Sequence, residues 1–224
     1  MTLAITQSRI EKKYISDRPK FSFAVMKAHY TKDPEFSENY IFNIYFDTPS
    51  MSLLQDKLNG DLHKQKIRVR WYGDTPDLLI PNTAKLECKK RINAGGIKKA
   101  VPITMPAKNI HSLLKSGSWS KILQQSLSKT LAWPPHLLWP MVLTRYRRRR
   151  FIDQATGTRL SFDDQICSLA LSSTLINRGL GPTQLDDAVI EVKNNTGEMP
   201  RLLQLTDHLR ITSFSKYANL LFKV

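Results

Sequence analysis

A chain of 224 residues with 41% hydrophobic side chains can bury one large core, and its 34 Lys and Arg against 19 Asp and Glu leave a formal charge of +15. That surplus says little about fold but points to polyanionic partners such as nucleic acid, polyphosphate, nucleotides or acidic lipid. A secretory leader and a membrane helix are not expected, because MTLAITQSRIEKKY turns charged early and nowhere do about 18 apolar residues run together, so the reading is a cytoplasmic protein with no membrane segment.

The first element is RIEKKY, a predicted strand in which Arg9, Glu11 and Lys13 share a face. FSFAVMKAHY, residues 21 to 30, predicts a short helix, and TKDPEFSEN an acidic loop. Tyr40 to Thr48 then alternates as a strand, with Ile44 and Phe46 opposite Asn43, Tyr45 and Asp47. Asp47-Thr48-Pro49 ends it and can cap a helix through LLQDKL, which Gly60 stops.

KQKIRVRWY follows, a strand with Lys66, Arg68, Arg70 and Tyr72 on one side and Ile67, Val69 and Trp71 on the other. On one half-buried strand such a ladder of cations would simply face water. The same pattern recurs in KLECKKR, reached through the turn-rich GDTPD and IPNT segments, where Lys85, Glu87, Lys89 and Arg91 oppose Leu86 and Cys88. Cys88 and Cys167 lie on or beside apolar strand positions, and both are expected to be reduced and buried.

Gly95-Gly96 marks a tight hairpin before a short strand to Ile103. No GKS or GKT follows, so a phosphate-binding P-loop is set aside. A helical insertion spans about 106–133, with Trp119, Ile122, Leu123 and Leu127 at helical spacing, and Pro134, Pro135 and Pro140 close it. MVLTRYRRRRFID is a long strand that puts Tyr146, Arg148 and Arg150 on one face and Arg145, Arg147 and Arg149 on the other. Its four consecutive arginines would by composition alone suggest a solvated or nucleic-acid-binding patch.

RLSFD sets Arg159, Ser161 and Asp163 against Leu160 and Phe162, and a further strand lies near ICSLAL. After the polar loop NRGLGPTQ, VIEVK sets Glu191 and Lys193 against Ile190 and Val192. C-terminal helices occupy about 199–224, one from about Pro200 to Leu209 and one in SFSKYANLLF. With no repeat and no low-complexity linker, residues 1–224 read as one domain.

Amphipathic helices need an apolar wall to cover. If the strands closed a barrel with aliphatic sides inward, the helices would meet charge. The expected architecture is therefore α+β, an antiparallel β-barrel tunnel with a charged interior and an outer face covered by helices. Such a lining calls for anions, because buried unpaired cations cost several kcal/mol each and the carboxylates are too few. A single thread of phosphates meets that need and suits the guanidinium fork, whereas duplex DNA is too wide for a tunnel of this kind.

The motifs RxExKY at 9–14, NIYFDTP at 43–49, KIRVRWY at 66–72, LECK at 86–89 with Lys98 beyond it, YRRRRF at 146–151, RLSFD at 159–163, EVK at 191–193 and SFSKYA at 213–218 together resemble the VTC domain. This is the catalytic domain of polyphosphate polymerases, within the triphosphate tunnel metalloenzyme or CYTH-like superfamily. The resemblance implies transfer of the terminal phosphoryl group of ATP to a growing inorganic polyphosphate chain, with Mn2+ or Mg2+. It implies catalytic roles for Arg68, Arg70, Lys89, Arg148, Arg159 and Lys216, and substrate contacts from Arg9, Lys13, Lys66, Tyr72, Lys98, Tyr146 and Lys193. Glu191, Glu11 and Glu87 are the implied metal ligands, while Asp47 and Asp163 match motif positions that are either functional or structural. ATP or another triphosphate and polyphosphate are the implied partners, with room for unidentified protein partners and not for nucleic acid. Alternatives are a triphosphatase acting on inorganic triphosphate or nucleoside triphosphates, and a noncatalytic polyphosphate- or polyanion-binding module.

Overall fold

A computed structural model describes residues 10–92, 95–127 and 138–222. In chain order the elements are β1 (Ile10–Ser16), α1 (Pro19–His29), β2 (Thr31–Lys32), β3 (Glu38–Asp47), α2 (Ser52–Leu58), β4 (His63–Gly73), β5 (Thr83–Ile92) and β6 (Gly95–Thr104). Then come α3 (Ile110–Leu113), a 3-10 turn at Ser116–Ser118, α4 (Ser120–Leu127), β7 (Trp139–Ile152), β8 (Arg159–Leu171), α5 (Ser173–Ile176), β9 (Ala188–Asn194), α6 (Arg201–Gln204), β10 (Leu209–Ile211) and α7 (Lys216–Phe222). The strands hydrogen-bond in the order β10-β1-β9-β8-β7-β3-β4-β5-β6, with β2 added against β7. The architecture is thus antiparallel sheet with helices, as the alternating charge pattern requires.

This order has two ends, and no ladder joins β10 to β6 among the described residues, where the sequence reading expects a closed barrel. The end strands account for that. β10 has three residues, and β6 carries Lys98, Lys99 and Pro102, charges and a missing N–H that discourage further pairing. Other differences are local. RLSFD and ICSLAL are one 13-residue strand, the predicted helix from Pro200 is a single turn, and Leu209–Ile211 pairs with β1 instead of extending it.

The chain divides into two compact units. The first comprises Met1–Asn39, Tyr146–Ile166 and Leu185–Ser215. Its core joins Tyr14, Leu160, Phe162, Ile190 and Val192 from one sheet face to Met26, Phe23 and Val25 of α1 and Leu203 of α6. The second comprises Tyr40–Arg145, Cys167–Gln184 and Lys216–Val224. There Phe42, Ile44, Phe46, Ile67, Val69, Trp71, Leu86 and Cys88 pack against Leu113, Trp119 and Leu123 of the helical insertion. In both units the aliphatic faces lie under helices, and the two cysteines are buried and free.

Trp119 is the keystone of the insertion. It is fully buried, meets Phe46 edge-on at 5.1 Å and donates its indole N–H to the Leu113 carbonyl at 2.7 Å. Trp119→Ala removes both contacts and opens a cavity, so urea unfolding should show a loss of about 3–5 kcal/mol in stability.

Candidate functional site

In the second unit the charged faces of β3, β4 and β5 converge on one carboxylate. Register places Arg68 opposite both Tyr45 and Glu87, and Arg70 opposite Asn43 and Lys85. Glu87 is 5% exposed and receives Arg68 at 2.7 Å, Lys98 from β6 at 2.9 Å and Arg70 at 3.8 Å. Arg70 is itself buried, and its Nε–H donates to the Asn43 side-chain carbonyl at 2.8 Å. Burial alone would raise the Glu87 carboxyl, but Arg68, Arg70 and Lys98 outweigh it and bring it down to about 2. Beside this group, Lys66, Lys89 and Lys98 stand in one row across β4, β5 and β6, like charges directly opposite one another.

In the first unit the charged face of β1 and β9 is a checkerboard. Glu11 lies opposite Lys193 and Lys13 opposite Glu191, so each lysine reaches both carboxylates at 3.4–3.8 Å. Arg148 of β7 joins them, bonding Glu191 at 2.9 Å and gripping Asp163 with two 2.6 Å hydrogen bonds. Its guanidinium lies 5.6 Å from the Tyr146 ring, which is buried. Burial opposes the charge on Arg148, yet Asp163 and Glu191 raise its pKa well above the ordinary range. Arg159 of β8 is tied to the buried Asp33 at 2.9 Å.

Residues 9–222 match the VTC domain. The chain belongs to the VTC domain family. A search of curated proteins returns no match. Among solved structures the VTC chain is similar to HpAC1 from Hippeastrum, described as a candidate adenylyl cyclase with a dominant triphosphatase activity, at 15% identity over 95% of each chain and a TM-score of 0.54. It is also similar to the PH1819 protein of Pyrococcus horikoshii OT3, at 12% identity over 96% of this chain and 100% of that one, with a TM-score of 0.52. At these identities the likeness is one of fold.

The VTC fold gathers Arg68, Arg70, Lys98 and Glu87 in one unit, and Lys13, Lys193, Arg148, Tyr146, Glu11 and Glu191 in the other. Lys66 is half-buried and Lys89 exposed in the lysine row, and Tyr72 is 48% exposed near the end of β4. Lys216 is buried at the first position of α7. Arg9 lies outside the described residues. Of the implied metal ligands, Glu11 and Glu191 share one cluster, while Glu87 belongs to the second unit and is engaged by its cations. Among the described residues no three His, Cys, Asp or Glu side chains group as a metal cage. Two carboxylates with all-oxygen donors fit Mg2+ or Mn2+, which take one or two carboxylates and complete their shell with phosphate oxygens and water.

Asp163 accepts two hydrogen bonds from Arg148. Asp47 is a helix cap, accepting the backbone N–H groups of Leu53 at 2.9 Å and Leu54 at 3.0 Å. The four-arginine run is not an exposed basic face. All four are buried or half-buried; Arg147 and Arg149 share Asp164, Arg149 stacks 3.3 Å from the Phe23 ring centroid, and Arg150 bonds Asn39. Sequence reasoning missed Asn43 as the holder of Arg70 and Asp33 as the holder of Arg159. The polar-face position of Asn43 was a usable signal, but Asp33 sits in a loop where no periodicity reveals its partner.

The displaced Glu87 carboxyl carries a sign. Because its folded pKa lies below the ordinary 4.5, its stabilisation is complete above that value and drains away as the pH falls toward about 2. At about 1.4 kcal/mol per pH unit the loss is on the order of 3 kcal/mol. Acid unfolding followed by circular dichroism should be steep in this window, and Glu87→Gln should flatten it by that amount.

Proposed function

We propose that this VTC domain is a polyphosphate polymerase that transfers the terminal phosphoryl group of ATP to the end of an inorganic polyphosphate chain. The observation that carries the reading is the cation surplus around Glu87 in a chain matching the VTC domain from end to end. One buried carboxylate answers Arg68, Arg70 and Lys98, and the lysine row beside them adds positive charge, so the face is suited to several phosphates. Phosphoryl transfer is mainly a matter of alignment and charge neutralisation. Arg68 and Arg70 are fixed by Glu87 and Asn43, so their guanidinium groups would meet phosphate with little reorganisation. Lys66, Lys89 and Lys98 would hold further phosphates of the chain.

The acceptor is a terminal phosphate oxygen, already anionic. It attacks the γ-phosphorus, a new P–O–P bond forms, the bond to the β-phosphate oxygen breaks, and ADP leaves, so no histidine base is required. Glu11 and Glu191 would hold Mg2+ or Mn2+, whose contribution when bound is neutralisation of phosphate charge. Lys13, Lys193, Arg148, Arg159 and Lys216 are the remaining phosphate contacts, with Tyr146 and Tyr72 as wall residues.

The shared fold with HpAC1, a protein described with triphosphatase activity, favours a second reading in which water replaces the phosphate acceptor. Purified protein incubated with ATP and Mn2+, with and without a short polyphosphate primer, separates these when products are resolved on a gel. Long chains are expected. Free phosphate without chains would shift the assignment to hydrolysis, and neither product would leave a polyanion-binding module. Arg70→Ala and Glu191→Ala should each lower turnover at least about 100-fold. Both should stay folded, because Glu87 keeps Arg68 and Lys98, and Arg148 keeps its two bonds to Asp163. Full activity in both variants would remove the assignment.

A further inference from the structure

The second unit holds a buried carboxylate that the phosphate-binding face does not use. Asp47, at the end of β3, is fully buried and accepts four hydrogen bonds. Its Oδ1 takes the backbone N–H of Thr48 at 2.8 Å and of Leu53 at 2.9 Å, and its Oδ2 takes that of Leu54 at 3.0 Å and the Tyr217 hydroxyl at 3.0 Å. The Tyr217 ring stacks on Tyr45, two residues before Asp47 on the same strand face, with centroids 5.2 Å apart and planes 15° from parallel. One tyrosine of α7 is thus fixed in both position and rotation by β3. Lys216, 8% exposed, immediately precedes it and opens the helix.

We infer that Asp47 and Tyr45, acting through Tyr217, are positioning residues for Lys216 as a phosphate contact, an assignment that rests on the function proposed above. A helix of seven residues is marginal by itself, and a lysine has many rotamers to lose before it can hold a phosphate. The stack and the hydroxyl bond remove the first difficulty by tying the opening turn of α7 to the sheet. Ala218 and Leu221 complete the seat in the apolar cluster with Leu54, Met141, Val142 and Leu171. The strand that holds Arg70 through Asn43 therefore also holds Lys216 through Tyr217, so both cations are referred to one rigid element.

Binding of inorganic tripolyphosphate by isothermal titration calorimetry in metal-free buffer tests this as a double-mutant cycle. Tyr217→Phe keeps the stack and loses only the hydroxyl, and Lys216→Ala removes the ammonium. Each alone should weaken binding about tenfold, and the double variant should bind no more weakly than Lys216→Ala, because the tyrosine has no other route to the ligand. Independent, multiplied losses, or wild-type binding by Tyr217→Phe, would overturn the positioning role while leaving the phosphate reading in place. Wild-type binding by Lys216→Ala would instead sink Lys216 as a phosphate contact, and the inference with it. Thermal unfolding of each variant accompanies the titrations; if Tyr217→Phe does not fold, Tyr45→Leu, which removes the stack and spares the hydroxyl bond, enters the same cycle with the same criteria.

Discussion

A guanidinium taken out of water must be met by a carboxylate or fixed hydrogen-bond acceptors, and this requirement organises both units. Arg70 and Arg148 are each less than a tenth exposed. Neither could sit there alone, since an unpaired buried charge costs several kcal/mol. Their partners come from neighbouring strands: Glu87 and Asn43 for Arg70, Asp163 and Glu191 for Arg148. A one-residue slip in any of these pairings would carry the cations under the helices and the aliphatic residues out, so the charge pattern fixes the register as firmly as the apolar one.

The two units use that rule differently. Around Arg148 the ion pairs are balanced, with Glu11, Asp163 and Glu191 set against Lys13, Lys193 and Arg148. Around Arg70 the count differs, with three cations, Arg68, Arg70 and Lys98, drawn to the single carboxylate of Glu87. A balanced cluster of this kind, with Glu11 and Glu191 among its three carboxylates, would suit a divalent cation and the phosphate it carries together, because that pair adds little net charge. An unbalanced cluster suits phosphate by itself. β4, β5 and β6 carry ten Lys and Arg against the single Glu87, a large part of the overall excess of +15, whereas Arg147, Arg148 and Arg149 of the four-arginine run are paired with Asp164, Asp163 and Glu191.

The strands and the sense in which their faces turn were legible, because alternation is local and each charged position is separated from its aliphatic neighbour by one residue. Ile67, Val69 and Trp71 are in the core, while Arg68 and Arg70 meet Glu87, as period two demands. The splitting of Arg147 and Arg149 from Arg148 and Arg150 was readable in the same way. What could not be read depends on partners distant in sequence. Asp33 meets Arg159 across 126 positions, and Tyr217 meets Asp47 across 170. Nor does alternation say whether the last strand of a sheet finds another edge; β10, only three residues long, was hidden in what resembled the continuation of a helix.

Asp47 and Glu87 show how two buried carboxylates of one unit can be told apart by the company they keep. Both pay a desolvation penalty, which raises a carboxyl. For Asp47 the four donors are neutral amides and a phenol, which only partly offset burial, and its pKa stays raised. Around Glu87 the partners are cations, and the balance tips the other way, to about 2. Neutral donors recognise a carboxylate by geometry and leave it no charge to trade, which suits a joint between β3, α2 and α7. Three cations around one carboxylate hold it ionised, which is the opposite outcome from Asp47. The NIYFDTP and LECK motifs each contribute one of these carboxylates, so a motif match identifies the position while the charge of the neighbours decides in which direction its pKa moves.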